Sequence, residues 1–287
     1  MEAEPRTVGV CFWNIWGHRH PKELHSHLQS LAQKTDIICL TEVTHCNTSW
    51  SVPAPVHTSD RKDEAPSHLN GYAQLQAELG RSHYSEYRTP VSTDWRCVVT
   101  GDTYRNVGFG SALFYSKKLQ MHAHGTEIIC KGLVDIKPRA LQWIVFSKGG
   151  KRYLVAHVHG IWIKENTKGD HPARRQQSAE VRVQLHKLAT EHTVEGVVFG
   201  GDLNLAPDTE ALKLLLKSKG VPELYRNLNH EWNINSTRTP AYRHYETKGE
   251  SLHADYVLAN TLIRVKSFTA DTTVPGSDHA PLLIRFV

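Results

Sequence analysis

Two short runs carry the residue types best suited to work on a phosphate ester: Gly201-Asp202-Leu203-Asn204 and Ser277-Asp278-His279. An aspartate and an asparagine two positions apart at a strand end can hold a water and a phosphate oxygen side by side. A distant Asp-His pair can add charge and a proton donor. Together these groups point to cleavage of a phosphate ester.

Elements elsewhere in the chain must bring further groups to the same place. Val8 to Ile15 sets Val8, Val10 and Phe12 on one side and delivers Asn14, while Asp36 to Leu40 is almost wholly apolar and ends at Glu42. Both patterns predict strands. Lys151 to Val158 leads to His157 and His159, Val197 to Phe199 runs into Asp202, and Leu252 to Leu258 carries Asp255. In a sandwich whose strand ends gather at one edge, all of these can converge. Helices are predicted from Pro21, with Leu24, Leu28 and Leu31 on one stripe, and from about Ala173 to His192, with Val181, Leu185 and Leu188 in register. A third is predicted from near Asp208 to a stop at Gly220. Lys148-Gly149-Gly150-Lys151 marks a hairpin. Residues 44–70 and 90–105 lack periodicity and read as long loops.

The ordered set Trp13-Asn14, Thr41-Glu42, Ala156-His157-Val158, Gly201-Asp202-Leu203-Asn204, Asp255-Tyr256 and Ser277-Asp278-His279 resembles the endonuclease/exonuclease/phosphatase superfamily, the group with the DNase-I-like fold. No single motif is specific; the order and spacing of all six are. The resemblance implies an α/β fold: a four-layer sandwich of two mostly antiparallel β-sheets packed face to face and flanked by helices. It also implies a divalent metal, Mg²⁺ or Mn²⁺, and hydrolysis of a phosphodiester or phosphomonoester. The family spans DNA, RNA, phospholipids and inositol phosphates, so the fold does not choose the substrate.

Carried onto this sequence, the resemblance makes Glu42 the metal ligand, since a hard cation takes oxygen ligands, with Asn14 orienting Glu42 or sitting beside the metal and Asp278 near the metal or the nucleophile. Asp202 would position and deprotonate the attacking water, and Asn204 would donate to a phosphate oxygen or to the nucleophile. The bland reading of that pair is a turn closed by Asx hydrogen bonds, and both can hold. His279 would donate to a non-bridging oxygen, with Asp255 holding its other ring nitrogen. His157 matches a position that faces the phosphate, and His159 shares its side of the strand. Trp16 stands where many relatives have an acidic or polar residue. Thr41-Glu42 lacks the Gln-Glu-x-Lys pattern of abasic-site endonucleases, although Gly201 to Ala206 is similar to theirs.

Substrate contacts are expected from Trp16, His159, Trp162 and the Arg174-Arg175 pair, with Trp50 and Trp95 in the two long loops. Net charge is +5 with a pI of about 8.9, which favours a polyanionic partner. No apolar run approaches the ~20 residues of a membrane span. Met1-Glu2-Ala3-Glu4-Pro5 has no secretory character, and five cysteines without C-x-x-C spacing suit a reducing interior. His18/His20, His25/His27, His122/His124 and His157/His159 share i, i+2 spacing but lack the partners of a dedicated zinc site. The reading is a single intracellular, monomeric domain over 1–287: a metal-dependent nuclease acting on nucleic acid, DNA foremost. The alternatives are a phosphatase or phospholipase-type hydrolase on small or lipid phosphates, and a non-catalytic binding module of the same fold.

Overall fold

The computed structural model describes residues 7–18, 20–45, 71–80, 82–88, 92–96, 103–131, 133, 136, 138–217, 220–222, 224–242 and 251–287. In chain order the elements are β1 (Val8–Asn14), α1 (Pro21–Lys34), β2 (Ile37–His45), α2 (Gly71–Leu79), β3 (His83–Arg88), β4 (Ser92–Arg96), β5 (Thr103–Ser116), β6 (Gln120–Ile129) and β7 (Arg139–Lys148). They continue with β8 (Lys151–Val158), α3 (Pro172–Glu191), β9 (Gly196–Asp202), α4 (Glu210–Leu216), β10 (Tyr225–Asn227), α5 (Leu228–Glu231), β11 (Asp255–Asn260), β12 (Val265–Ala270) and β13 (Leu282–Phe286).

One sheet has the order β12-β13-β1-β2-β5-β3, with β4 also paired to β5; the other runs β10-β11-β9-β8-β7-β6. Among the described residues only β1–β2 and β8–β9 pair in parallel. Those are the pairs joined by the crossover helices α1 and α3, as parallel neighbours require. Alternation along the strands builds the layers. Val8, Val10 and Phe12 meet Tyr153, Val155 and Val198 in a core between the sheets. Cys11 and Trp13 turn outward onto Leu24, Leu28 and Leu31 of α1, and Leu154, Ala156 and Val158 turn onto Val181, Leu185 and Leu188 of α3. The four-layer sandwich is therefore formed, with the two sheets packed face to face.

Several local expectations are corrected. The strand carrying Glu42 does not end there. It continues to His45 through a bulge between Thr41 and Val43, with Glu42 itself at φ 60°, and the bulge turns the Glu42 side chain off the regular alternation. Within 90–105, Ser92–Arg96 pairs with β5 as a strand and Thr103 opens β5, because an edge strand can be polar on both faces. Helix α4 is shorter than read. Its cap is Thr209, whose hydroxyl accepts from Leu212 N at 3.3 Å, and Lys217 is already extended. The Asp170 carboxylate accepts from Glu210 N and Ala211 N at 2.8 and 3.1 Å, a tertiary cap that local sequence does not show. Cys46, Trp50, Cys97 and the Trp95 side chain lie outside the described residues.

The Gly149-Gly150 hairpin has φ of 59° and 80°, the turn that suits the twist of two antiparallel strands. Gly201 is another position where glycine is required. At φ 127° its added Cβ would stand 2.4 Å from Val158 O. It precedes Asp202, so this conformation aims the aspartate. Gly201→Ala should cost roughly 1–3 kcal/mol of stability in urea melts; an unchanged midpoint would show that the strand end is slack.

Candidate active site

Strands β1, β2, β8, β9 and β11 bring side chains to one edge of the sandwich. From β1, the Asn14 amide donates to Glu42 Oε1 at 3.0 Å and to Asp202 Oδ2 at 2.8 Å, while its oxygen accepts from Trp16 N at 2.9 Å. This contact joins the two sheets. Asn14, expected to orient Glu42 or to sit beside the metal, spends its donors on the two carboxylates and so spaces them. Asp202 is buried, and its second oxygen accepts from Asn204 N at 3.0 Å. The Asx turn is thus present as well as the acidic group. Asn204 sits at φ 53°, which asparagine tolerates, and its amide donates to Gly160 O at 3.4 Å.

On the opposite side His279 Nδ1 lies 2.8 and 3.0 Å from the two Asp255 oxygens, the pairing expected of an imidazole held in one orientation. Its Nε2 is 3.7 Å from Asp202 Oδ2 and 3.8 Å from Asp278 Oδ1. Trp13 Nε1 donates to His279 O at 2.9 Å, and Ser277 Oγ donates to Asn14 O at 2.7 Å while accepting from His279 N at 3.1 Å. These bonds fasten the Ser-Asp-His run to the end of β1. Burial and Arg238 oppose the imidazolium, but the carboxylates of Asp255, Asp278 and Asp202 outweigh them and raise the His279 pKa to about 9. Burial likewise works against a charged Asp202, yet His279 and its other cationic neighbours hold its pKa below the usual value.

The two histidines of β8 part company. His159 Nε2 reaches 3.8 Å from Glu42 Oε1 and 3.7 Å from Asp202 Oδ2. Burial lowers it to about 4, so the ring is neutral and offers a lone pair. His157 is fully buried, also neutral at a pKa of about 3, and places Nε2 3.0 Å from Gln142 Oε1. The structure does not bring it into the cluster. Glu42 is pushed up to about 7 by burial and by the charges of Asp278 and Asp202, against the pull of His279 and Asn14. Ligand atoms of Glu42, His159 and Asp202 lie within 4.8 Å of one another, as do those of Asp202, Asp255 and His279. Hard oxygen donors whose ionisation is mutually opposed fit a divalent cation.

The profile of the endonuclease/exonuclease/phosphatase family matches residues 11–279. This chain belongs to that family. Among curated proteins none matches. Similar solved structures include truncated Caenorhabditis elegans TDP2, at 18% identity over 98% of this chain and 97% of that one, with a TM-score of 0.59. The human Nocturnin catalytic domain with bound sulfate anion is 16% identical over 100% and 94%, with a TM-score of 0.63. The Bacteroides thetaiotaomicron mannosyl-6-phosphatase Bt3783 is 15% identical over 98% and 99%, with a TM-score of 0.64. At these identities the likeness is one of fold. Family membership makes phosphoester hydrolysis the general chemistry.

At the rim of this family member Trp16 is half-buried, with its ring 5.9 Å from His20, and Trp162 is 54% exposed on the loop after β8. The Arg174-Arg175 expectation is corrected. Arg174 is only 1% exposed and donates to Ile161 O, Thr167 O and Gly169 O at 2.9, 2.7 and 2.6 Å, so its guanidinium is consumed in folding the loop behind the site. Arg175 lies on the exposed side of α3, without a contact to the cluster. Two other arginines were not read from the sequence. Arg139 donates to Gly160 O at 3.2 Å and feels Asp202 and Glu42, and Arg238 touches Asp278 and His279. Both lie outside any periodic run or family motif, so no local signal marks them. Arg174→Leu removes the donor to three loop carbonyls and should lower stability by roughly 3 kcal/mol or more and expose the loop to limited proteolysis. Arg175→Ala should do neither; intact stability in Arg174→Leu would return that residue to substrate binding.

Proposed function

We propose that this protein is a divalent-metal-dependent phosphodiesterase whose substrate is nucleic acid, DNA foremost. The observation that carries the reading is the convergence of Asn14, Glu42, Asp202 and the His279–Asp255 pair, from separate strands, on one buried edge. Glu42, with Asp202 and His159 at hand, would hold Mg²⁺ or Mn²⁺, and Asp278 lies on the His279 side of the cluster. Such an ion supplies charge neutralisation and lowers the pKa of bound water. Asp202 orients the attacking water and takes its proton. Asn204 and His279 direct N–H groups at phosphate oxygens, where charge grows in the transition state. Asp255 fixes the tautomer and angle of His279. His157 supports the strand from below, paired with Gln142.

The nucleic-acid part rests on the net charge of +5 and on the exposed Trp162 ring, three residues after His159. Free thiols at Cys11, Cys39 and Cys130 suit the intracellular compartment we assign. A second reading, a phosphatase on a small phosphate, is favoured by the shared fold of a mannosyl-6-phosphatase. Nothing in the converging acids favours a scaffold without catalysis.

Mg²⁺ or Mn²⁺ should raise the melting temperature as well as support turnover, because a cation relieves repulsion among the carboxylates. Glu42→Gln should abolish most of that shift, and full activity in excess EDTA would refute metal dependence.

Turnover should be measured on single- and double-stranded oligonucleotides beside a sugar phosphate and an inositol phosphate. Asp202→Asn and His279→Ala should each lower kcat by roughly 10²- to 10⁴-fold. Inert Asp202→Asn should bind a short oligonucleotide more weakly as salt rises. Micromolar binding of the small phosphate with no oligonucleotide binding at low salt would replace the nuclease reading with the phosphatase one.

A further inference from the structure

Arg238 belongs to no motif, yet it touches the reacting end of the site. It lies in the polar run Ser236-Thr237-Arg238-Thr239-Pro240, which is stitched to the Ser-Asp-His segment. Thr239 N donates to Asp278 O at 3.1 Å, Ala280 N donates to Thr237 O at 2.9 Å, and Thr239 Oγ1 donates to Ser277 O at 2.5 Å. Arg238 and His279 form an antiparallel bridge, so the two backbones move together. The side chain is as firmly held. It is 8% exposed, its Cζ stands 4.3 Å over the Tyr242 ring, and Lys168 Nζ lies 4.9 Å from the centroid of that ring. The carboxylates of Asp278, Asp255 and Asp202 keep it charged despite its burial.

Its polar contacts leave part of the guanidinium unused. Nη1 donates to Asp278 Oδ2 at 3.3 Å and lies against His279 Nε2, while Nε is buried with no hydrogen-bond partner. A guanidinium has donors alone. The His279 ring is tied through Nδ1 to Asp255, so its Nε2 offers one of two things. Either it holds a lone pair that Arg238 already covers, or it holds an N–H that meets another donor with no acceptor between them. In both cases an oxyanion arriving at Nε2 arrives also at Arg238. A buried, unpaired guanidinium N–H is the kind of group that a phosphate oxygen satisfies, and a fork of donors suits phosphate better than a point charge does.

We propose that Arg238 is a substrate-anchoring residue that binds the phosphate group together with His279, so that the two share a non-bridging oxygen. This rests on the phosphoesterase reading of the same site. It adds a cationic donor that the motifs do not contain. The Tyr242 ring, 4.3 Å from Cζ, keeps the guanidinium in position.

The test is calorimetric titration of the Mg²⁺-loaded protein with inorganic phosphate. Wild type should bind, and Arg238→Gln should bind about tenfold or more weakly, the scale for loss of a charge-assisted hydrogen bond. Arg238→Lys, which keeps the charge but loses the fork, should fall between them, and it also serves if Arg238→Gln does not fold. Mg²⁺ should still raise the melting temperature of either variant, showing that Glu42 and its partners are intact. Phosphate affinity within twofold of wild type in a folded variant overturns the proposal, as does a wild type that binds no phosphate. A wild type that binds phosphate through Arg238 but hydrolyses no ester would remove the esterase reading and leave the anion anchor standing.

Discussion

The Asn14 amide is the contact on which the site depends. It places one donor on Glu42 from its own sheet and one on Asp202 from the facing sheet. Two carboxylates brought this close in a buried edge repel each other, and the rise of the Glu42 pKa to about 7 records that opposition together with burial. A neutral side chain with two N–H groups is the residue type that can hold both without adding charge. A lysine there would neutralise the acids and leave no role for a cation; an aspartate would add a third repulsive charge. The same contact couples chemistry to fold, since it ties the end of β1 to the end of β9 across the core.

Around that spacer the charges sort into two groups. Glu42, His159 and Asp202 face the more open side, where the Glu42 and His159 side chains are 21% and 15% exposed. Asp255, Asp278, His279 and Arg238 lie deeper, with the His279 ring and the Arg238 guanidinium side by side and the carboxylates of Asp255 and Asp278 flanking them. Asp202 belongs to both. In the proposed reaction such a shared group would orient a water between metal and phosphate, and its ionised form would then matter. The favourable interaction with His279 keeps it ionised although it is almost wholly buried.

Much of this was legible in the sequence, because strands that end in a polar group after an alternating apolar run announce both the element and its cargo. Asn14, Glu42, Asp202, Asn204 and Asp255 were singled out that way and His279 by the Ser-Asp-His run, with the family pattern ordering them. What was missed depends on partners distant in sequence. The bulge at Glu42 is fixed by pairing with β5, and the polar strand Ser92–Arg96 exists because β5 offers it an edge. Thr209 and Asp170 share the cap of α4 across about forty residues of chain. The arginines reverse the naive reading of charge. The Arg174-Arg175 pair looked like a binding patch, yet Arg174 spends its donors on loop carbonyls; isolated Arg238, in a segment without a motif, bonds Asp278 instead.

That reversal follows from what burial does to a guanidinium. Removed from water, it must find acceptors, and the acceptors available decide its role. Around Arg174 they are backbone oxygens fixed by the turn from 161 to 169, which can be satisfied once and for all in the folded state. Around Arg238 the acceptor is the Asp278 carboxylate, beside the His279 ring nitrogen, groups whose own bonding changes when an anion enters. A cation with permanent acceptors stabilises a loop. A cation with provisional ones, held flat on an aromatic ring and left with a free N–H, remains available to a ligand. The sequence supplies the two arginines alike, and only the oxygen and nitrogen atoms that fold around each one separate scaffold from site.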